Sequence, residues 1–275
     1  MIQDIFPSKL YNAFQKYTLR DADHVLQFRG DGCVLLKMSD PSDLFLRGEG
    51  IDQEKAVYLF SVDEERYFLI THEAQVEGGG YEYRSLREIR DLVGVCADKD
   101  VYVMYTAYHL WRWYTDNRFC GRCGKKMGYK EDERAVICPD CGNVVYPRIN
   151  PAVIVGVTNG DRILITKYRT GFAFNALVAG FTEIGETFEE CVAREVMEET
   201  GIKVKNIRYY KSQPWGMALD ILAGFYCDVD GDDTIRMDAN ELKYAEWVGR
   251  EDIVLQPNNL SLTNEMMNEF KEGRQ

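Results

Sequence analysis

The chain has 275 residues and a net charge of −12, long enough for two or three units with real cores and a poor platform for wrapping a nucleic-acid duplex, which relies on Lys and Arg at the phosphates. No apolar run approaches a membrane span, and Met1 to Pro7 lacks the charged and apolar regions of a secretory signal. A cytoplasmic protein is therefore expected, with neither duplex DNA nor membrane as partner, and a small anionic ligand would need a metal to bridge it to so acidic a chain.

From residue 1 to about 100, short strand-like runs alternate with turns: Cys33 to Met38, Ala56 to Phe60 and Tyr67 to Ile70, punctuated by Gly78, Gly79 and Gly80. Ser85 to Leu92 reads as a short helix. The three histidines, His24, His72 and His109, have no Cys or His at ligand spacing and read as structural. A longer helix from Val101 to Asn117 carries Tyr102, Tyr105, Tyr108, Trp111, Trp113 and Tyr114. No basic stripe accompanies these rings, so they predict core packing or a subunit interface rather than base stacking.

Cys120-Gly121-Arg122-Cys123-Gly124 and Cys138-Pro139-Asp140-Cys141-Gly142 are two CxxC-G knuckles separated by fourteen residues. Four thiolates presented in this way suit a closed, structural Zn²⁺ site. Disulfides and a redox pair are the alternatives, the first disfavoured without an export signal. Four protein ligands leave no open position, so the zinc is expected to be structural. Zinc ribbons also bind nucleic acid or protein, which keeps a binding module open as a second class of function. Cys33, Cys96, Cys191 and Cys227 have no partner spacing and read as small buried hydrophobes.

Beyond Asn143, Ala152 to Val157 and Arg162 to Lys167 predict a hairpin turned at Asn159-Gly160-Asp161, and Leu177-Val178-Ala179 leads into the most informative stretch. Thr187 and Glu190 have capping-box spacing, and Gly201 sits where a helix needs a left-handed closing residue, so a helix is predicted over 187–200. Phe188, Val192, Ala193, Val196 and Met197 are expected on its packed face. Glu195 and Glu199 are expected to border that face, with Glu198 one step further round, so that the three converge at its C-terminal end, where the helix dipole disfavours anions. Such a patch is expected to hold a hard cation, Mg²⁺ or Mn²⁺, through carboxylate oxygens. Strand-like runs follow near 207–211, 221–227 and 244–248, then a terminal helix near 260–270.

Gly180, five residues, Glu186, seven residues, then Arg194-Glu195-Val196-Met197-Glu198-Glu199-Thr200-Gly201-Ile202 resembles the Nudix box at every fixed position. The zinc ribbon before it and Ser212-Gln213-Pro214-Trp215 after it resemble the NADH pyrophosphatase (NudC-type) subfamily, well over about 119–250 and loosely over the first hundred residues. The subfamily's array runs SQPWPFPxS, whereas here Gly216-Met217-Ala218-Leu219-Asp220 follows Trp215. The resemblance implies an α+β chain: a Nudix α/β/α sandwich with a mixed sheet at 147–275, a zinc ribbon at 116–146 and a small α+β domain at 1–115.

The resemblance also implies a homodimer that hydrolyses the pyrophosphate of NADH or NAD⁺ to nicotinamide mononucleotide and AMP, with removal of NAD caps from RNA in bacterial members. Glu195, Glu198 and Glu199 would be catalytic, and they would hold Mg²⁺ or Mn²⁺ with Glu241 and the Ala179 carbonyl. Cys120, Cys123, Cys138 and Cys141 would hold Zn²⁺. Phe181 and the partner subunit's Tyr146 would sandwich a base, although core packing is the reading these two residues invite on their own. Glu133, Gln213, Pro214, Trp215, Gly216 and Asp220 would line the pocket, Gly216 loosening the loop and Asp220 adding a charge adverse to an anionic substrate. Arg194 reads as an ion pair that positions a neighbouring glutamate. The alternatives are a Nudix hydrolase of another nucleoside diphosphate, such as ADP-ribose, and a zinc-ribbon RNA-binding protein.

Overall fold

The computed structural model describes residues 1–70, 79–170 and 174–275, and the chain divides into two compact units. One comprises Gln3–Arg148 with Gly216–Leu219. In it β1 (Leu10–Tyr11), β2 (His24–Leu26), β3 (Val34–Lys37), β4 (Leu46–Arg47), β5 (Ala56–Val62), β6 (Glu65–Ile70) and β7 (Tyr81–Arg84) precede α1 (Leu86–Arg90) and α2 (Asp98–Asp116). The main sheet runs β1-β5-β6-β2-β4, and β3 pairs with β7 separately. Val25, Leu35, Tyr58 and Phe68 are among the buried side chains that hold these strands together.

The rings of α2 serve the core: Tyr105, Trp111 and Trp113 are buried, Tyr105 donates to the Leu86 carbonyl at 2.9 Å, and Trp111 stacks on Phe28 at 5.2 Å between centroids. His24 is buried and stacked on Tyr67, and His109 meets the Arg148 carbonyl at 2.8 Å. His72 and Gly78 lie outside the described residues. The ribbon strands β8 (Gly128–Tyr129), β9 (Val136–Ile137) and β10 (Val144–Val145) complete this unit in the order β10-β9-β8.

The other unit comprises Met1–Ile2, Ile149–Trp215 and Asp220–Gln275. Its elements are β11 (Asn150–Asn159), β12 (Arg162–Tyr168), β13 (Val178–Phe181), α3 (Phe188–Thr200), β14 (Val204–Trp215), β15 (Asp220–Val229), β16 (Leu242–Gly249) and α4 (Leu262–Lys271). The sheet runs β14-β15-β11-β12-β16, with β13 also paired to β11. It is mixed, because β11 and β15 run parallel while the remaining pairs are antiparallel. The expected hairpin is present but short: β12 meets β11 only at Thr158↔Ile163 and Asn159↔Arg162, and β13 takes Ala152 to Val155 instead.

Both faces of β11 are buried, as its nearly continuous apolar run requires. Ala152 and Ile154 pack under α4 with Leu262, Met266 and Phe270. Val153, Val155 and Val157 pack under α3 with Val192 and Val196. This alternation puts helices on opposite faces of one sheet, the α/β/α sandwich the sequence implies. Cys191 and Cys227 lie in the α3-side core, whereas Cys33 and Cys96 are only half-buried, so the buried-hydrophobe reading holds for two of the four. Among the described residues no helix is long and apolar enough to cross a membrane.

Candidate active site

The acidic end of α3 is aimed by its caps. Thr187 Oγ1 accepts from the Glu190 N–H at 3.2 Å, Glu190 Oε2 accepts from the Thr187 N–H at 2.8 Å, and Gly201 closes the helix at φ 71°. The buried face consists of Cys191, Val192, Val196, Glu199 and Thr200. Three residues expected there are exposed, Phe188, Ala193 and Met197. At 100° per residue Ala193 and Met197 lie about 100° and 140° round from Val192, and Phe188 stands at the helix start. Glu199 occupies the middle of the buried face instead of its border.

That burial is what gives the site its chemistry. Glu199 is 2% exposed and accepts from the Tyr168 hydroxyl at 3.0 Å, while the same hydroxyl accepts from the Ala179 N–H at 3.0 Å. Tyr168 thus ties Glu199 to the strand whose Ala179 carbonyl lies 3.4 Å from the hydroxyl. Burial pushes the Glu199 carboxyl up to about 8, against the Tyr168 hydrogen bond and with help from the charges of Glu195, Glu241 and Asp238. Burial also raises Glu195, opposed by Arg194 and reinforced by Glu198 and Glu241.

Gly180 has a direct steric reason: a Cβ there would lie 1.9 Å from the Glu195 carboxyl carbon. Bare backbone at this point lets Glu195 rest on β13 beside Ala179. Arg194 donates to both oxygens of Glu186 at 2.7 and 2.9 Å, to Glu195 at 2.7 Å, to Glu198 at 3.0 Å and to the Phe181 carbonyl at 3.0 Å. It is the brace that the sequence suggested, serving three glutamates rather than one, and it holds Glu186 down at about 2. Glu241 arrives on a strap fastened to the end of α3, where the Arg236 N–H donates to the Thr200 carbonyl at 2.8 Å and the Asp238 N–H to the Glu199 carbonyl at 2.9 Å.

The donor set fits a hard divalent cation. It is all oxygen, it runs from buried Glu199 through half-buried Glu195 to exposed Glu198 and Glu241, and its carboxylates raise one another's proton affinity because Arg194 alone offsets them incompletely. Among the described residues only the cysteines bring their ligand atoms within 4.8 Å of one another. The glutamates stand further apart, with Glu195 and Glu198 drawn to Arg194.

The ribbon is geometrically ready for zinc. Cys120 and Cys141 Sγ are 3.6 Å apart, and Cys123 and Cys138 Sγ 3.4 Å. A tetrahedron with Zn–S bonds of about 2.3 Å has edges of about 3.8 Å, and a disulfide would need about 2.05 Å, so the four free thiols match the metal and not the bridge. Each knuckle turns the same way, Gly124 N–H donating to the Cys120 carbonyl at 2.8 Å and Gly142 N–H to the Cys138 carbonyl at 3.0 Å.

Comparison with known proteins matches the stretches that carry both centres. A NUDIX domain model matches residues 148–270, and an NADH pyrophosphatase zinc ribbon model matches 116–146. The NAD-capped RNA hydrolase NudC of Shigella boydii serotype 18 is 38% identical over 183 residues, 64% of this chain and 67% of that protein. The chain belongs to the zinc-ribbon, NudC-type branch of the Nudix family. The NudC of Enterobacter sp. is 42% identical over 145 residues, 52% of this chain and 56% of the relative, so the match spans between about half and two thirds of these proteins. A Nudix hydrolase crystal structure from Nitrosomonas europaea shares the fold at a TM-score of 0.50 and 21% identity, over 57% of this chain and 92% of that one.

Phe181 and Tyr146 are 54% and 56% exposed, so core packing does not account for either ring. Tyr146 donates to Glu133 at 2.9 Å within the ribbon-bearing unit. The array that ends β14 and turns into β15 departs from its sequence reading at two residues. Gln213 is fully buried, its amide donating to the Leu260 carbonyl at 2.7 Å and accepting from the Leu262 N–H at 2.6 Å, so its side chain fastens the approach to α4 instead of lining a pocket. Gly216 does not loosen the loop: a Cβ would lie 2.1 Å from the Tyr105 carbonyl oxygen, so glycine is there for close packing. Pro214 and Trp215 are half-buried, and Trp215 packs against the α4-side core. Asp220 is buried beside Asn150, with Oδ1 unpartnered and its carboxyl pushed up to about 7 by burial.

Tyr168, the Asp238 strap and the three-way reach of Arg194 were not legible as site features. A tyrosine ending one strand carries no local sign that it will meet a helix thirty-one residues later.

Proposed function

We propose that the chain is a homodimeric, cytoplasmic diphosphatase that splits NADH or NAD⁺ into nicotinamide mononucleotide and AMP and also removes NAD caps from RNA, working as a domain at 1–115, a zinc ribbon at 116–146 and a catalytic domain at 147–275. The observation that carries it is the oxygen-donor cluster made by Glu195 on bare Gly180 and Glu199 on Tyr168 and Ala179. Glu195, Glu198, Glu199, Glu241 and the Ala179 carbonyl would hold Mg²⁺ or Mn²⁺. Bound there, such an ion neutralises pyrophosphate charge and acidifies an attacking water.

The chain's own groups do the rest. Arg194 fixes Glu195 and Glu198 in place, so Glu198, the more exposed, stands free on one side to take a proton from water. Tyr168 keeps Glu199 from swinging away. Phe181 and the partner subunit's Tyr146 offer exposed faces for a base, and Glu133 orients Tyr146. Pro214, Trp215, Gly216 and Asp220 would border the nucleotide, with Gln213 supporting their loop. The relatives' NAD-capped RNA hydrolase names support this choice over ADP-ribose. A turnover panel of NADH, NAD⁺, ADP-ribose and NAD-capped RNA, each with Mg²⁺ and Mn²⁺, tests it; a preference for ADP-ribose, or no turnover of any dinucleotide, would overturn it.

A further inference from the structure

The unit that carries the ribbon contains a cavity of about 290 Å³ whose wall includes Tyr17, Tyr58, Tyr114 and Tyr129 together with Lys16, Lys130, Glu133 and Arg134. Two of these rings are presented to solvent, Tyr17 at 46% and Tyr129 at 54% exposure, each braced edge-on by a more buried partner, Tyr58 at 4.9 Å and Tyr114 at 5.5 Å between centroids. Rings held upright at a cavity rim suit stacking on a flat ligand.

The charges in the wall are unequal. Lys16 is tied to Glu131 at 3.0 Å, and Lys130 to Asp132 and Glu133 at 2.7 Å each. Arg134 has no carboxylate partner among the described residues. It donates to the Asn12 side chain at 2.6 Å and to the Leu59 carbonyl, and its Nε is buried without any partner. Burial lowers its pKa, and the groups that offset this are the phenols of Tyr114 and Tyr58 rather than an anion. A half-buried guanidinium with no carboxylate beside it, in a chain of net charge −12, is a ready seat for an anion.

We infer that this cavity is a binding site for one nucleotide of single-stranded RNA, with the base against Tyr17 or Tyr129 and the phosphate at Arg134. Aromatic faces plus a cation are how single strands are held irrespective of sequence. The inference rests on the proposed function, because Glu133 belongs both to this wall and to the Tyr146 pair proposed to hold the capped end. It makes the RNA body, and not only the dinucleotide, a source of affinity.

Fluorescence anisotropy of a short uncapped single-stranded RNA, titrated with zinc-loaded protein without Mg²⁺ or Mn²⁺, tests the site with no turnover needed. Of Tyr129→Ala and Tyr17→Ala, the one that removes the ring under the base should weaken binding about tenfold, and Arg134→Gln should also flatten the salt dependence by roughly one phosphate. With turnover, that tyrosine variant should raise KM for NAD-capped RNA and leave NADH hydrolysis unchanged. Wild-type affinity in both tyrosine variants, or an equal loss on NADH, would overturn the inference, and these exposed positions decide the matter even if Arg134→Gln fails to fold. A wild type that hydrolyses neither NADH nor NAD-capped RNA would defeat the proposed function, while the anisotropy result would still decide whether the cavity binds RNA.

Discussion

The zinc ribbon and the carboxylate cluster proposed to hold Mg²⁺ or Mn²⁺ are built in opposite ways. The ribbon takes its four ligands from two identical tight turns, and its sulfurs already stand at 3.4 and 3.6 Å. The carboxylate cluster takes its donors from a strand, a helix and a strap and braces them with Arg194 and Tyr168. A ligand set made by local backbone geometry is closed and serves folding. One assembled by tertiary packing stays open to solvent and substrate, as catalysis requires.

The largest expected effect falls on the ribbon. Cys120→Ser should lose zinc, present near one per chain in the wild type, and lower the melting temperature by about 10 °C or more, since metal binding there is folding free energy. Elemental analysis and calorimetry check it, and wild-type zinc content with an unchanged melting temperature would erase the contrast between the sites. Glu199→Gln should do the reverse. Turnover should fall about 10²-fold or more, the scale of losing a main electrostatic stabiliser, while metal-free stability holds or rises because a buried carboxylate is gone. Near-normal turnover with unchanged metal dependence would remove Glu199 from the centre.

Tyr168→Phe sharpens the comparison further, since it keeps every carboxylate and deletes only the brace. Apparent Mn²⁺ affinity should weaken about tenfold, as expected for an outer-shell hydrogen bond, with Phe at least as soluble and folded. Unchanged Mn²⁺ dependence would mean that packing alone positions Glu199. The smallest effect expected is at Asp220. Its carboxyl is raised in the folded state, from 3.8 to about 7, so the folded chain binds the proton more tightly and wild-type stability falls as pH rises from about 4 to about 7. Asp220→Asn should therefore match wild type near pH 4 and exceed it by about 1 kcal/mol above pH 7, after allowing for screening. A denaturation series across that range checks it, and parallel curves would show that Asp220 finds a partner.

The same contrast explains what the sequence disclosed. Both ribbon knuckles and both ends of α3 are visible in it because each depends on residues within a few positions: Cys120 with Cys123, Thr187 with Glu190, Gly201 alone in the left-handed region. Glu199 was misplaced to the helix border because a pattern of apolar and polar letters counts every glutamate as surface. Its burial is set by Tyr168, on a different strand, and its neighbour Glu241 by a strap that uses only backbone amides. Gln213 was misassigned for the same reason, because the partners of its amide lie near residues 260–262, far along the chain.

Gly216 also constrains how this loop can be re-engineered. Since a Cβ there would meet the Tyr105 carbonyl at 2.1 Å, the proline of the subfamily's array cannot be restored at this position by a single substitution. Gly216→Pro should lower stability rather than stiffen the loop, and a thermal melt would show it. Because the obstacle is the backbone of α2 and not a side chain, no substitution on the helix can trim it: a loop graft that places a side chain at 216 should be accommodated only where the loop and the helix stand further apart.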